Sequence, residues 1–130
     1  MKLILAYDGS SASERVLDFA VKRCRLLSAR LVVVSSLVGG NETSSETIEE
    51  ARQGLEHVER ILEHEKIPHE AHLLIRGLTP GEDLVQFADE VAADEIILGI
   101  RKKSKVGKLL FGSTVQYTIL HAPCAVVTIR

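Results

Sequence analysis

Short apolar runs without polar alternation recur along this chain, and amphipathic stretches separate them. The runs are rich in Val, Ile and Leu and end at turn residues, which is typical of strands buried on both faces of a parallel sheet. The five predicted strands are Leu3 to Tyr7, Leu31 to Ser35, Ala71 to Ile75, Ile96 to Leu98 with Gly99 at its exit, and Cys124 to Ile129. Such strands are covered only if helices lie on both faces of the sheet.

Four helices are predicted between the strands, beginning at Ser11, near Ser45, at Thr79 and near Ser113. Ser11 and Thr79 are each followed three residues later by a glutamate, which matches a capping box at a helix start. The second helix extends to about Glu65 and the last to about Leu120. The order βαβαβαβαβ predicts an α/β fold with a parallel sheet and right-handed crossovers.

The stretch after the fourth strand combines a basic loop with a helix start. Five cations lie within eight residues, namely Arg101, Lys102, Lys103, Lys105 and Lys108. Gly112, Ser113 and Thr114 then open the last helix. Unpaired N–H groups and the positive dipole end of a helix favour an anion. Because open α/β sheets bind ligands at the carboxyl ends of their strands, this stretch predicts a phosphate site.

Plainer explanations exist for both features. A run of lysines is more often a solvated surface, and a Gly-Ser pair is often only a helix cap. The sequence also argues against two common nucleotide motifs. The first strand exits at Asp8-Gly9-Ser10 instead of a G-x-G-x-x-G turn, and a P-loop around Gly107-Lys108 fails because Lys102 and Leu109 replace required residues.

Length and composition restrict the class of protein. The 130 residues predict one domain, residues 1–130, which can bury a core without disulfides or metals. A net charge of −2 and 4% aromatic residues disfavour nucleic acid as a partner. No apolar run is long enough to cross a membrane. The two cysteines, Cys24 and Cys124, have no metal-ligand spacing, which together with the absence of a signal peptide predicts a cytoplasmic protein.

Taken together, these residues resemble the universal stress protein family over the whole chain. The resemblance rests on the opening strand that ends in Asp-Gly-Ser, the five-strand alternation, and the closing Pro-x-x-Val-Val strand. The nucleotide-binding branch carries G-x2-G-x9-G-[ST]. Gly99, nine residues from Lys103 to Phe111, and Gly112-Ser113 keep that register, whereas Lys102 replaces the second glycine.

The resemblance implies a single Rossmann-like domain with a five-stranded parallel sheet in the order 3-2-1-4-5. It also implies an adenine nucleotide, ATP or AMP, at the carboxyl ends of strands 1 and 4, with Mg²⁺ as a companion of ATP. Carried over by position, the implied nucleotide-binding residues are Tyr7, Asp8, Ser36, Leu98, Gly99, Arg101, Lys102, Gly112, Ser113 and Thr114. Ser36 would contact the base through its backbone.

A soluble stress-response regulator that binds this nucleotide is the leading hypothesis. The apolar last strand, Cys124 to Ile129, would be a sheet edge and predicts a homodimer through that strand. A slow nucleotide phosphohydrolase is a less favoured alternative, because apart from Asp8 no carboxylate is predicted at the rim of the crevice. The third hypothesis is a dimerising interaction module that has lost nucleotide binding, because Lys102 replaces the second glycine of the motif.

Overall fold

The computed structural model describes residues 1–9, 12–100, 102–103, 109–110 and 112–130. In these residues the fold consists of a five-stranded parallel sheet, a separate two-stranded ribbon and four α-helices. The strands in chain order are β1 (Lys2–Ala6), β2 (Arg30–Leu37), β3 (His69–Ile75), β4 (Glu95–Gly99), β5 (Lys102–Lys103), β6 (Leu109–Leu110) and β7 (Ala125–Ile129). The helices are α1 (Ala12–Leu27), α2 (Ser45–His64), α3 (Pro80–Glu90) and α4 (Ser113–His121). The large sheet has the order β3-β2-β1-β4-β7, which confirms the predicted topology.

The sheet lies between two helical layers, each with its own core. Alternate residues of a strand point to opposite faces, so Leu3 and Leu5 of β1 face α1 and α2, whereas Ile4 faces α3. In β2, every residue from Leu31 to Ser35 is buried. This burial on both faces explains the uninterrupted apolar runs in the sequence.

Side-chain caps are present at the starts of α2 and α3. The Thr79 hydroxyl accepts from the backbone N–H of Glu82, and the Glu82 side chain accepts from the Thr79 backbone, which confirms the predicted capping box. Ser44 caps α2 by accepting from the N–H of Thr47. Ser11, the predicted cap of α1, lies outside the described residues.

The segment between β4 and α4 differs from the expected continuous loop. β5 and β6 form a two-stranded antiparallel ribbon, in which Lys102 pairs with Leu110 and Lys103 with Leu109. Strands of two residues leave no periodic signal in a sequence, which is why the ribbon was not predicted. Arg101, Lys105 and Lys108 lie outside the described residues.

The amino ends of the strands are closed by hydrogen bonds and ion pairs. The Arg23 guanidinium binds the buried Glu95 carboxylate through Nε and Nη2, the latter at 3.0 Å. The Lys2 backbone N–H donates to Asp94 Oδ2 at 2.8 Å. These contacts join α1 and β1 to the start of β4.

Both cysteines are free thiols. Cys24 belongs to α1, and its side chain is buried in the core between this helix and the sheet. Burial and the nearby Glu95 carboxylate raise the pKa of the Cys24 thiol to about 11. Cys124 is half-buried, and burial raises its pKa as well. None of the described helices is long and apolar enough to cross a membrane.

Candidate functional site

The chain leaves β1 and β4 toward opposite faces of the sheet. These strands are neighbours, with Leu5 in register with Ile97. Residues from Tyr7 to Gly9 leave β1 toward α1, whereas the chain after Gly99 leads through β5 and β6 to α4. A crevice at such a divergence, outside the carboxyl ends of the strands, is where open α/β sheets bind ligands. Tyr7, Asp8, Leu98 and Gly99 therefore lie at the carboxyl ends of these two neighbouring strands.

Hydrogen bonds and packing fix Tyr7 between β1 and β2. Its backbone N–H donates to the Val34 carbonyl at 2.9 Å, and its own carbonyl accepts from Ser35 Oγ at 2.7 Å. Its ring lies over Gly54 of α2, where a Cβ atom would come within 3.3 Å of Tyr7 Cε1. Burial raises the pKa of Tyr7, and the carboxylates of Asp8 and Glu14 raise it further. The phenol therefore stays protonated at neutral pH.

Asp8 presents its carboxylate at the exposed end of β1. Ser13, which is buried in the first turn of α1, donates from Oγ to Asp8 Oδ1 at 3.0 Å. Gly9 has a φ of +77°, a left-handed conformation that favours glycine and turns the chain into the helix. The sequence reasoning missed Ser13, because a serine near a helix start is normally assigned to capping.

Gly99 has a packing role that the motif did not reveal. A Cβ atom there would lie 2.8 Å from Val16 Cγ2 of α1, which is too close for any side chain. The glycine therefore allows α1 to approach the end of β4. Leu98, the residue before it, is buried on the α3 face.

The start of α4 is open. Gly112 occupies the N-cap position, and no described side chain caps the helix there. Ser113 is exposed and Thr114 is half-buried. A Cβ atom at Gly112 would meet no described atom within 4 Å. The first backbone N–H groups of this helix and the Ser113 hydroxyl can therefore donate to an anion.

Ser36 leads to a cluster that was not predicted. Its Oγ donates to Asp83 Oδ2 at 2.7 Å, and Arg76 Nε donates to Asp83 Oδ1 at 2.6 Å. Arg76 Nη1 also donates to both carboxylate oxygens of Glu90 at 2.9 Å. A second carboxylate besides Asp8 thus lies near the strand ends, contrary to expectation, although it is buried and paired.

The described residues near the strand ends do not form a cluster of metal-binding side chains. Among the described residues, no three His, Cys, Asp or Glu side chains converge on a point that could hold a metal ion. His57 and His64, which lie seven residues apart on α2, are both exposed.

The fold is that of an open α/β protein, whose main sheet has five parallel strands and diverging connections after β1 and β4. The chain belongs to the universal stress protein family, whose family model matches residues 1–130. It is similar to a universal stress protein structure from Archaeoglobus fulgidus, with 44% identity and a TM-score of 0.92, covering 100% of this chain and 98% of that chain.

Two further relatives cover nearly the whole chain. A universal stress protein structure from Archaeoglobus fulgidus in complex with dAMP is 40% identical with a TM-score of 0.86, covering 100% of this chain and 98% of that one. A Thermus aquaticus protein named "Universal stress protein in QAH/OAS sulfhydrylase 3'region" is 34% identical, covering 98% of this chain and 97% of its own length.

Proposed function

We propose that this protein binds an adenine nucleotide, AMP or ATP, at the carboxyl ends of β1 and β4 and acts as a stress-response regulator. The observation that carries the proposal is the dAMP complex of a relative that is 40% identical over the whole chain. The crevice at the strand divergence and the open start of α4 support it from the geometry of this chain. In a stress response, the protein would act on a partner either through the bound nucleotide or through its dimer surface.

Each end of the crevice suits one part of the nucleotide. Asp8 can accept from a ribose hydroxyl, with Tyr7 beside the ribose and the adenine, and the backbone at Ser36 faces the base. Leu98 and Gly99 line the ribose and the first phosphate. The outer phosphates bind the start of α4, at Gly112, Ser113 and Thr114, and the basic residues Arg101 and Lys102.

Isothermal titration of the purified protein with AMP, ADP and ATP tests this function. We expect saturable binding of at least one of them, together with a rise in melting temperature. Absence of both effects at millimolar nucleotide would contradict the proposal and favour a nucleotide-free interaction module. Mass spectrometry of ligand released by denaturation identifies a nucleotide that survives purification.

A homodimer through β7 is the second part of the proposal. Among the described strands, β7 pairs with β4 alone and forms one edge of the sheet. An uncovered apolar edge is an aggregation hazard, and pairing with a second copy covers it. Val127 is unsuited to a test by charge substitution, because it packs against the core beneath α1.

Thr128→Pro tests the dimer through the backbone. The Ile129 carbonyl accepts from the Ile100 N–H at 2.7 Å, so the polar backbone groups of Ile129 point toward β4. Those of Thr128 point outward, because they alternate along a strand. Proline there removes only an outward donor. We expect the wild type and Thr128→Ala to sediment as dimers and Thr128→Pro as a monomer, whereas a dimer in all three would exclude this interface.

A further inference from the structure

Ser36 and Asp83 connect the proposed base end of the crevice to the opposite helical layer. The side chain of Ser36 points to the α3 face of β2, on the same side as Val32 and Val34. Asp83 lies in the first turn of α3 and is 0% exposed. Its two carboxylate oxygens accept from different donors, Ser36 Oγ at 2.7 Å and Arg76 Nε at 2.6 Å. A carboxylate is buried at low cost only when it is paired in this way.

The end of β2 is thereby held from both faces. Ser35, which precedes Ser36, points to the other face and donates from Oγ to the Tyr7 carbonyl at 2.7 Å. On the α3 face, Arg76 follows β3 directly and its Nη2 also donates to the backbone carbonyl of Asp83, at 3.4 Å. The backbone of β2 pairs with β3 as far as Leu37 and Ile75, and these side-chain hydrogen bonds additionally tie the end of β2 to Tyr7 and to α3.

A backbone segment can read a purine if its position is fixed. Each residue presents one N–H donor and one C=O acceptor. Adenine offers an exocyclic amino donor and a ring nitrogen acceptor on one edge, whereas hypoxanthine reverses both roles. A displacement of about 1 Å is enough to weaken such contacts, since hydrogen bonds depend steeply on distance and angle.

We propose that Asp83 is the positioning residue for base recognition: by accepting from Ser36 and Arg76, it fixes the β2 backbone that distinguishes adenine from other purines. This inference rests on the proposed nucleotide-binding function. Because Asp83 is completely buried, it acts through Ser36 and does not touch the nucleotide itself.

The test compares the affinities for AMP and IMP, which share the ribose phosphate and differ at the base edge. Ser36→Ala removes one hydroxyl, and Asp83→Asn keeps the side-chain volume but removes the charge. We expect each change to reduce the preference for AMP over IMP about tenfold. Together they should reduce it no more than either alone, since both break the same link. Ser36→Thr keeps a hydroxyl and should restore most of the preference.

Glu90→Ala is the matched control. Glu90 is the other carboxylate partner of Arg76, but it is exposed and has no contact with Ser36 among the described interactions. We expect a lower melting temperature and an unchanged preference for AMP. If Ser36→Ala lowers only the melting temperature, as Glu90→Ala does, then Asp83 merely anchors α3 and the inference fails. If the wild type binds none of AMP, ADP and ATP, the proposed function fails and the inference with it.

Discussion

The two ends of the sheet are built differently. At the amino ends of the strands, charged groups pair with one another, as Arg23 does with Glu95. At the carboxyl ends, Arg76 pairs with Asp83 beside α3, but the positions nearest the ends of β1 and β4 include three glycines and an exposed serine, namely Gly9, Gly99, Gly112 and Ser113. At the amino end, charged side chains bind one another, whereas at the carboxyl end the first backbone N–H groups of α4 have no described side-chain cap. The difference suggests that fold stability and ligand binding depend on opposite ends of the molecule.

Glu95→Ala should have the largest effect on stability. Glu95 is 5% exposed, and its removal leaves the Arg23 guanidinium without its carboxylate partner at the amino end. We expect the melting temperature to fall by about 10 °C, because breaking a buried pair from one side is strongly destabilising. AMP affinity of the folded variant should stay within about twofold of the wild type, since such a distant change adds independently to others.

Calorimetry and titration on the same samples check both expectations. Asp18→Ala is the control, because Asp18 is exposed on the same helix and its distance to Lys22 Nζ is 3.9 Å, a surface pair of little energetic value. A large loss of AMP affinity in folded Glu95→Ala would show that the two ends are coupled, contrary to the comparison above.

Asp8→Ala should have the converse effect. Asp8 is exposed at the carboxyl end, so the loss of its carboxylate removes a predicted acceptor for the ribose, and it also removes an acceptor of the buried Ser13 hydroxyl. We expect AMP affinity to fall about tenfold or more, because hydrogen bonds to a charged group contribute more than neutral ones. The melting temperature without ligand should fall by about 4 °C, less than in Glu95→Ala, because the Ser13 hydroxyl loses this acceptor.

Nucleotide turnover should be measured in the same samples. Hydrolysis that Asp8→Ala abolishes while binding survives would instead support the phosphohydrolase alternative, with Asp8 as its base. Asp18→Ala again provides the control for an exposed carboxylate on the same segment of the chain. An unchanged AMP affinity in Asp8→Ala would exclude the assigned ribose contact.

The sequence predicted the fold well because its signals are local. Thr79, Pro80 and Glu82 are close together in the chain, and their capping box appears in the structure as hydrogen bonds. The apolar runs of β1, β2 and β4 likewise need no information from distant residues. Strand boundaries moved by no more than two residues, and the shift of the start of β3 from Ala71 to His69 gives this strand a polar start.

The supporting residues of the candidate site were harder to predict, because their partners are distant in sequence. Asp83 and Ser36 are 47 residues apart, so the acid looks like an ordinary helix-start residue until the sheet brings them together. Gly99 was predicted from the family motif as a nucleotide-binding residue, and its closeness to Val16 gives it in addition a packing role that the motif does not reveal.

Lys102→Gly tests the basic side of the carboxyl end. The backbone of Lys102 is extended and paired with Leu110, so the position does not need the left-handed freedom of glycine. We expect the substitution not to tighten ATP binding, and ATP affinity of the wild type to fall between low and high salt, because exposed charges are screened over about 10 Å at 0.1 M. Titrations at two ionic strengths measure both effects.

A tightening of tenfold or more in Lys102→Gly, about 1.4 kcal/mol, would show that the lysine obstructs the crevice. The nucleotide-free module would then gain support. Lys22→Gly is a poor control, since it lies inside α1 and would weaken the helix. Lys66→Gly is better, because Lys66 lies at the other end of the sheet and has a φ of +58°.

The turns that lead from α1, α2 and α3 to the next strand each contain a residue with positive φ that is not glycine. These residues are Ser28, Lys66 and Ala92. In each case the next residue donates back to the helix, as the Ala93 N–H does to the Ala88 carbonyl at 2.9 Å. This is the Schellman arrangement, in which glycine is usual at the left-handed position. These turns therefore retain strain that a glycine would relieve.

Ala92→Gly should give the smallest effect, and a stabilising one. The left-handed conformation costs an alanine about 1 to 2 kcal/mol, and the greater freedom of glycine in the unfolded chain offsets about 0.4 to 1 kcal/mol of the gain. We expect a net stabilisation of about 0.5 to 1 kcal/mol, measured by denaturant unfolding, with AMP affinity unchanged. Ala51→Gly, inside α2, should destabilise by a similar amount because helix interiors disfavour glycine. If both substitutions lower the free energy of unfolding equally, then the left-handed conformation of Ala92 holds no strain that glycine can relieve.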